Sequence, residues 1–340
     1  MMFVSHPMEW YNTACRSTHS RSSGQIHYHE SNQTIRSCPS SPSLRILSLA
    51  ILLLTTCLGR CSPATVRTTD TPEKAITTSW DLSIPAQNWA RAAAANEIVA
   101  LRHHGSYLRY RMHVMDDKGD RVREVVETKD GSVARLISRD GKPLTAVEDQ
   151  AERQRLKAML ESPQNFARHI RNEESGKKYA EEIIRLMPEA MLYTYTPGQP
   201  KSGNGRPGAE VVLDFQPDPT FRPPDTASQA LLGLRGRLWI DPVSRNLLRI
   251  EVEIFRSENF GWGMIAHVNP GGKVVLVQTS VGPGRWIFSH FSDQISMRVG
   301  LIKPVNVKDT IEASDFQTID TPVSYQEAIR SLLALPAAAK

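Results

Sequence analysis

Two glycine-rich stretches have the spacing of a dinucleotide-binding loop. Residues 203–208 fit the pattern G-x-G-x-x-G, and residues 261–266 fit its Gly/Ala variant. Such a loop joins a strand to a helix, because the N-terminus of the helix holds the pyrophosphate. Here Pro207 interrupts the first stretch, and strand patterns rather than helical ones follow both. The sequence therefore predicts that neither stretch binds a nucleotide, and we expect no cofactor.

Hydrolytic chemistry would need an activated nucleophile or a paired acid and base. The sequence contains neither a Gly-x-Ser-x-Gly elbow nor a His-Glu-x-x-His helix. Glu251 and Glu253 stand two residues apart, as paired carboxylates could. They alternate with Ile250 and Val252, however, which places them on the solvent face of a strand. We therefore expect a protein that is not an enzyme.

Histidine and cysteine are the remaining candidates for metal or thiol chemistry. His103 and His104 adjoin Gly105, but no carboxylate or cysteine lies at ligand spacing, so we expect them to interact with a helix end and predict no metal site. All four cysteines precede the folded region, which leaves it without thiols or disulfides. They are Cys15, Cys38, Cys57 and Cys61.

The elements that carry these residues follow from the apolar spacing. Residues 86–101 have a helical period, which predicts an N-terminal helix. The period then changes to two, and residues 106–114, 121–128 and 132–138 are predicted to form a meander of three strands joined by turn sequences.

A helical insertion is predicted after the meander. Thr145 and Glu148 have the spacing of a capping box, which would open a helix that runs through Leu160. A second helix is expected over residues 163–187, with Pro188 as its stop.

Beyond Pro188 the sequence is dominated by alternating patterns. Together with the meander they predict about ten strands, and the lack of βαβ alternation indicates an α+β fold with one long antiparallel sheet. Such a sheet curves, and we expect the helices to pack in its concave face around an apolar interior. The predicted strands are residues 190–196, 209–216, 236–241, 246–256, 262–268, 273–280 and 286–299, and a last helix is predicted over 324–335.

The N-terminal region has the pattern of a secretion signal. The apolar run over residues 46–58 is shorter than the ~20 residues that span a membrane, and it follows the positive charges of Arg36 and Arg45. Small residues at Ser62 and Ala64 predict cleavage after Ala64. We therefore expect an exported protein, located in the periplasm or elsewhere outside the cytoplasm.

Two alternatives for this segment stay open. Lipid attachment at Cys57 or Cys61 is disfavoured by the residues that precede these cysteines, Thr55-Thr56 and Gly59-Arg60, because the processing enzyme needs small residues beside the modified Cys and Arg60 is a poor neighbour. An uncleaved membrane anchor is disfavoured by the length of the apolar run. The polar residues 1–43 are expected to be a disordered extension or to precede the true translation start.

Composition sets the organisation of the rest of the chain. Residues 1–64 hold five arginines against two glutamates, so the net charge of +5 falls to +2 beyond them. This balance gives no reason to expect nucleic-acid binding. We predict a signal peptide at 44–64, a linker at 65–85, one α+β domain at 86–320 and a short C-terminal helix or tail at 321–340.

Two neighbouring segments carry a family resemblance. They are Leu-Trp-Ile-Asp-Pro at residues 238–242 and Asn-Leu-Leu-Arg-Ile-Glu at residues 246–251. This pairing resembles the central hairpin of the LolA/LolB/RseB-like lipoprotein-carrier superfamily. The order of signal, helix, meander, helical insertion and long strands is also similar to that superfamily, and the resemblance extends loosely over residues 86–316. The resemblance implies an open half-barrel that holds helices in its concavity and binds acyl chains of lipoproteins or related lipids.

Three functions follow, in order of preference. The first is a non-catalytic cell-envelope carrier or binding protein that holds the acyl chain of a lipid or lipoprotein. The second is an envelope sensor or assembly protein that acts through contacts with another protein, and the third is an exported enzyme of unrecognised type. For the first, the inward-facing apolar residues are the candidate lining: Leu108, Tyr110, Met112, Leu213, Phe215, Ile250, Val252, Ile254, Trp286 and Phe288.

Overall fold

The structure is a computed structural model that describes residues 84–102, 106–197, 210–260, 265–282, 284–300 and 302–336. Within these ranges the helices are α1 (Ala86–Arg102), α2 (Ala146–Glu161), α3 (Pro163–Ala190) and α4 (Tyr325–Ala334), and a 3-10 turn spans Ser228–Gly233. The strands are β1 (Tyr107–Asp116), β2 (Gly119–Thr128), β3 (Gly131–Arg139), β4 (Lys142–Pro143), β5 (Met191–Tyr195), β6 (Val211–Pro217), β7 (Leu234–Ile240), β8 (Leu247–Ile254), β9 (Glu258–Phe260), β10 (Ala266–Val268), β11 (Lys273–Gly282), β12 (Arg285–Val299) and β13 (Lys303–Ile319).

All the described strands belong to one open antiparallel sheet. Its main order is β4-β3-β2-β1-β13-β12-β11-β8-β7-β6-β5, and the short β10 and β9 attach beside β12. Because β13 lies between β1 and β12, the last strand joins the N-terminal meander to the C-terminal strands. The α+β class and the open half-barrel sheet expected from the sequence are confirmed.

The longest strand of the sheet, β13, is absent from the sequence prediction. It runs for 17 residues, and its buried positions are Val307, Asp309, Ile311 and Ala313. The carboxylate of Asp309 breaks the apolar alternation, and polar residues occupy most of the outward positions. The prediction therefore overlooked an alternation that Val307, Ile311 and Ala313 carry with one interruption, and the residues of β13 that pair with β1 lie 195 to 212 positions away in the sequence.

Hydrophobic clusters lie on both faces of the meander. Val125 and Val126 are consecutive, so they point to opposite faces of β2. Val125 belongs to a main cluster with α1 and the C-terminal half of α3, whereas Val126 belongs to a second cluster with α2, α4 and the N-terminal half of α3. The expectation that all helices lie in the concave face was therefore incomplete, because apolar side chains on the other face also need cover.

Helix α2 protects the free edge of β3. The Arg155 guanidinium donates to the Ala134 carbonyl at 2.6 Å, and the Leu136 N–H donates to the Glu152 carboxylate at 2.7 Å. These backbone groups would otherwise offer hydrogen bonds to a strand of another molecule. The Thr145–Glu148 capping box predicted at the start of α2 is present and fixes where the helix begins.

The tip of the β2–β3 hairpin packs directly on α3. Gly131 has φ +123°, and a Cβ placed on it would lie 2.1 Å from the Cδ1 atom of Ile170. The neighbouring Ser132 N–H donates to the Glu173 carboxylate at 3.3 Å, and a ring nitrogen of His169 lies 2.9 Å from the Ser132 carbonyl. Because residue 131 is a glycine, α3 can pack directly against the end of the β2–β3 hairpin.

Pro188 lies inside the last turn of α3, and the prediction that it stops the helix was wrong, because the helix runs three residues past the predicted end at residue 187. The helix ends at Ala190. A proline removes one backbone donor, and so close to the C-terminus the loss affects a single turn. The Gln87 side-chain amide donates to the Pro188 carbonyl, which ties the end of α3 to α1.

None of the helices in the described ranges is long and apolar enough to cross a membrane. The predicted extension 1–43, the signal peptide 44–64 and the histidine pair His103 and His104 lie outside the described residues. So do the glycine-rich stretch 203–208 and residues 261–264 of the second stretch.

Candidate functional site

A continuous apolar row crosses the inner face of the sheet. Directly opposed residues on neighbouring strands point to the same face, and the register aligns one apolar residue from each of eight consecutive strands. At a strand spacing of about 4.8 Å the row is roughly 34 Å long. It consists of Val114, Ile311, Phe291, Leu276, Ile250, Leu238, Leu213 and Tyr195.

The structure brings the predicted lining residues together on or beside this row. Nine of them are buried in the main cluster, with exposed fractions from 0% to 6%, and Trp286 is half-buried against the same cluster. A packed core and a ligand-binding face would both bury these side chains, so their role as a lining stays a prediction. The nine are Leu108, Tyr110, Met112, Leu213, Phe215, Ile250, Val252, Ile254 and Phe288.

The two segments that carry the family resemblance form the β7–β8 hairpin. Its register shifts after the pair Trp239 and Arg249, so that Ile240 lies opposite Leu247. This bulge turns Leu247 inward, with 3% of its surface exposed, and leaves Leu248 half-buried. The strict alternation of β8 is therefore shifted by one residue at this end of the strand.

Helix α1 covers the β5 end of the inner face. Its buried stripe includes Trp89, Ala90 and Ala93, which pack in the main cluster. The Trp89 indole N–H donates to the Tyr195 hydroxyl at 2.9 Å, and that hydroxyl donates to the Ile84 carbonyl at 2.6 Å. The start of α1 is therefore fixed to the edge strand by a chain of two hydrogen bonds.

A buried carboxyl on α1 faces the sheet. Glu97 is 6% exposed, and its carboxyl accepts a hydrogen bond from the Gln278 side-chain amide at 3.1 Å. Burial raises the pKa of Glu97 to about 8, while hydrogen bonds from Gln278 and the Leu247 backbone act in the opposite direction. Glu97 is therefore predominantly protonated at neutral pH, which keeps the α1 contact with the sheet uncharged.

Two further carboxyls lie on the inner face of the sheet. Asp293 on β12 and Asp309 on β13 are directly opposed, and both are buried, at 3% and 9% exposed. The Asp309 N–H donates to Asp293 Oδ1 at 3.1 Å. Burial, followed by the facing Asp309 carboxylate, raises the pKa of Asp293 to about 7. The inner face therefore combines an apolar surface with a group that titrates near neutral pH.

A buried ion pair fixes the start of β1. The Arg285 guanidinium lies 2.7 Å from the Glu127 carboxylate, which also accepts the Leu108 N–H at 3.0 Å. Arg285 donates in addition to the Ser106 carbonyl. Removal of one partner would leave the other with less charge compensation in a buried place, which is strongly destabilising. Because Glu127 also accepts the Leu108 N–H, the pair fixes the position of this predicted lining residue.

The outer face has the polar character expected from the sequence. The side chains of Glu251 and Glu253 are 43% and 41% exposed and form ion pairs with Arg249 and Arg235. Their predicted position toward solvent is confirmed. Among the described residues, no group of three or more His, Cys, Asp or Glu side chains is arranged to hold a metal ion.

Sequence reasoning missed the three buried carboxyls, although each had a local signal. Glu97 lies four residues after Ala93 and eleven after Ala86, which puts it on the buried stripe of α1. Asp293 stands between Phe291 and Ile295 in a strand that was predicted, at an inward position. Asp309 stands between Val307 and Ile311 in the same way, but in a strand that was not predicted.

Comparisons with known proteins show only a distant structural likeness. No family model matches the chain, and no curated protein sequence matches it. A solved structure described as MucB in complex with MucA(peri) is similar at 13% identity and a TM-score of 0.20, covering 67% of this chain and 94% of that one. The α+β fold follows from the strand order and register of this chain itself.

Proposed function

We propose that this protein is a non-catalytic binding protein of the cell envelope, whose inner sheet face holds the acyl chain of a lipid or lipoprotein. The observation that carries the proposal is the apolar row across eight strands, from Val114 to Tyr195, with the predicted lining beside it. A face of this extent matches a long, unbranched, apolar ligand better than a small polar one.

Binding would be driven by transfer of the chain out of water. Each buried CH₂ group contributes about 0.8 kcal/mol, so a long chain needs neither a covalent step nor an energy source to be retained. Release would require an acceptor with a larger apolar surface. The proposal therefore assigns the protein a holding or delivery role outside the cytoplasm, in line with the secretion signal predicted at residues 44–64.

Native mass spectrometry of protein purified from an envelope extract tests the proposal. We expect a co-purifying lipid mass that is lost on denaturation. Delipidated protein should then bind a fluorescent fatty-acid probe with saturable stoichiometry, and unlabelled lipid should displace the probe. Protein that carries no lipid and binds no probe would contradict the proposal and favour the second reading, in which the sheet contacts another envelope protein.

A further inference from the structure

We propose that one end of the sheet docks on a membrane surface that carries anionic lipids. This end, which we call the basic tip, consists of residues 265–269, 294–300 and 302–308, in and around β10 and the β12–β13 hairpin. The proposal goes beyond the proposed function and does not depend on it, because it concerns an exposed end of the protein and not the buried inner face. The two proposals can therefore fail separately.

The strand register brings two segments together at the end of the basic tip. Val299 is the last residue of β12, and it lies between Lys303 of β13 and Ala266 of β10. Ile265, which precedes β10, therefore lies beside the turn that follows β12. The Gly300 N–H donates to the Ile265 carbonyl at 3.0 Å, so the two segments are joined directly.

Each of these segments exposes an isoleucine. Ile302 is 87% exposed, more than any other large apolar side chain that the structure describes, and Ile265 is 36% exposed. Neighbouring apolar side chains in contact with water are typical of surfaces that bind a membrane or another protein. Transfer of the two side chains from water to the acyl boundary of a bilayer is favourable in proportion to their apolar area.

The charge of the basic tip is positive and uncompensated. Arg298, Lys303 and Lys308 are exposed, and the three ranges of the basic tip contain no acidic residue. None of these three cations forms an ion pair or a side-chain hydrogen bond with a described residue. The basic tip therefore combines exposed apolar side chains with three cations that are available to an anionic partner.

Other cations of the sheet do not share this property. Every arginine of β7 and β8 forms an ion pair with a carboxylate of the outer face. These pairs are Arg235 with Glu253, Arg237 with Asp214, and Arg249 with Glu251. The lack of acidic partners is therefore a feature of the basic tip and not of the outer face as a whole.

The strand edge of the basic tip favours a membrane over a protein strand as the partner. β1 pairs with β13 only from Thr310 onward, so residues 303–308 pair with β12 alone among the described strands. Pro304 has no N–H to offer a further strand, and lysines at an edge discourage such pairing. Anionic headgroups attract lysine and arginine, and the acyl region beneath them accepts isoleucine.

Flotation of the whole protein with lipid vesicles tests the proposal. We expect flotation with vesicles of phosphatidylcholine and phosphatidylglycerol, and binding at least about tenfold weaker to phosphatidylcholine alone, since three cations contribute. Lys303→Gln should weaken binding to the anionic vesicles by about fivefold, the ratio for one cation near a charged surface. Ile302→Ser should weaken it by about tenfold, because the apolar side chain no longer enters the bilayer.

Two control variants change equally exposed side chains elsewhere. Lys157→Gln removes an exposed cation of α2. Val243→Ser replaces a valine that is 84% exposed, in the turn between β7 and β8. The register places this turn at the end of the sheet opposite the basic tip. Both control variants should float like the wild-type protein.

Each outcome supports or overturns the membrane contact. Weaker flotation of Ile302→Ser and Lys303→Gln, with normal flotation of both controls, supports it. It is overturned if the wild-type protein does not float, if it binds both kinds of vesicle equally, if either tip variant floats like wild type, or if the controls lose binding as well. Should a tip variant not fold, Lys308→Gln gives the same decision. Fluorescent fatty-acid binding should be unchanged in all variants, and its absence from the wild-type protein would overturn only the proposed function.

Discussion

The Glu97 carboxyl on α1 accepts a hydrogen bond from the Gln278 side-chain amide on β11, across 181 positions of sequence. Both residues are buried, at 6% and 4% exposed. This contact joins the helix to the middle of the sheet by two polar groups in an apolar setting. Burial of Glu97 favours its protonated form, because an ionised carboxylate at this depth would be poorly solvated, and this effect exceeds that of the Gln278 hydrogen bond, which favours the ionised form.

Glu97→Gln should flatten the pH dependence of stability. Burial raises the Glu97 pKa from 4.5 to about 8 in the folded protein. The stabilisation is therefore complete below pH 4.5 and is lost as the pH rises through 8. The glutamine variant stays neutral and should be more stable than wild type at pH 8, by on the order of a few kcal/mol.

Urea denaturation of both proteins across this pH range measures the difference. Subtracting the two curves isolates Glu97 from Asp293, whose pKa is also raised, to about 7. Glu161→Gln, at the exposed end of α2, is the control and should leave the profile unchanged. Parallel pH profiles for wild type and Glu97→Gln would show that Glu97 does not hold its proton in the folded protein.

Val252→Trp should abolish lipid binding while the melting temperature stays near that of wild type. Val252 faces inward on β8, and in a ligand-binding face the larger ring would occupy space that the acyl chain otherwise fills. In a filled core the same change would destabilise by about 1–3 kcal/mol through overpacking. Fluorescent fatty-acid binding and thermal melting, measured together, separate the two cases.

Val275→Trp is the matched control for this experiment. Val275 is half-buried at the neighbouring position on β11 and points to the outer face. The Val275→Trp protein should bind the probe and melt at the same temperature as wild type. A Val252→Trp protein that melts early and binds no probe, beside a normal control, would count against a ligand-binding face at this position.

Removal of the α2 side chains that protect β3 should cause association. The double change Glu152→Ala with Arg155→Ala frees the Leu136 N–H and the Ala134 carbonyl. We expect a loss of about 1–3 kcal/mol, since two backbone groups lose their partners, and concentration-dependent oligomers through the exposed edge. Size-exclusion chromatography over a concentration series and urea melts measure both effects.

The control for the Glu152→Ala with Arg155→Ala experiment also removes one acidic and one basic side chain. Lys157→Ala with Glu161→Ala alters two exposed residues of the same helix and should remain monodisperse to the same extent as wild type. Equal elution of both double variants at every concentration would mean that the edge needs no side-chain protection.

Export should remove the residues through Ala64. The apolar run over residues 46–58 is too short to anchor the chain, and small residues follow it. N-terminal sequencing of protein recovered from the envelope fraction checks this, with Thr65 expected as the first residue. Recovery of a chain that still contains residues 46–58 would instead indicate a membrane-anchored protein.

Much of this fold could be predicted from signals within a few neighbouring residues. The pairing of strands that lie far apart in the sequence could not. The capping box at Thr145 and the alternation in β8 are each encoded within a few residues, so α2 and most of β8 followed from the sequence. The partner of β1 is β13, where Asp309 interrupts the alternation of Val307, Ile311 and Ala313 with polar residues, and no local rule tells which strands pair. For the same reason the sequence supplied the apolar lining but not the carboxyl pair, which exists only after β12 and β13 align.

Helix α3 has a consequence for the mechanics of the whole chain. Its 28 residues extend about 42 Å at 1.5 Å per residue, with Phe166 in the second cluster and Met187 in the main one. Neither cluster can open fully without exposing part of the same helix, so their unfolding is thermodynamically linked. Amide protons in the central turns of α3 should therefore exchange with solvent as slowly as those of the central strands, and calorimetry should record a single transition.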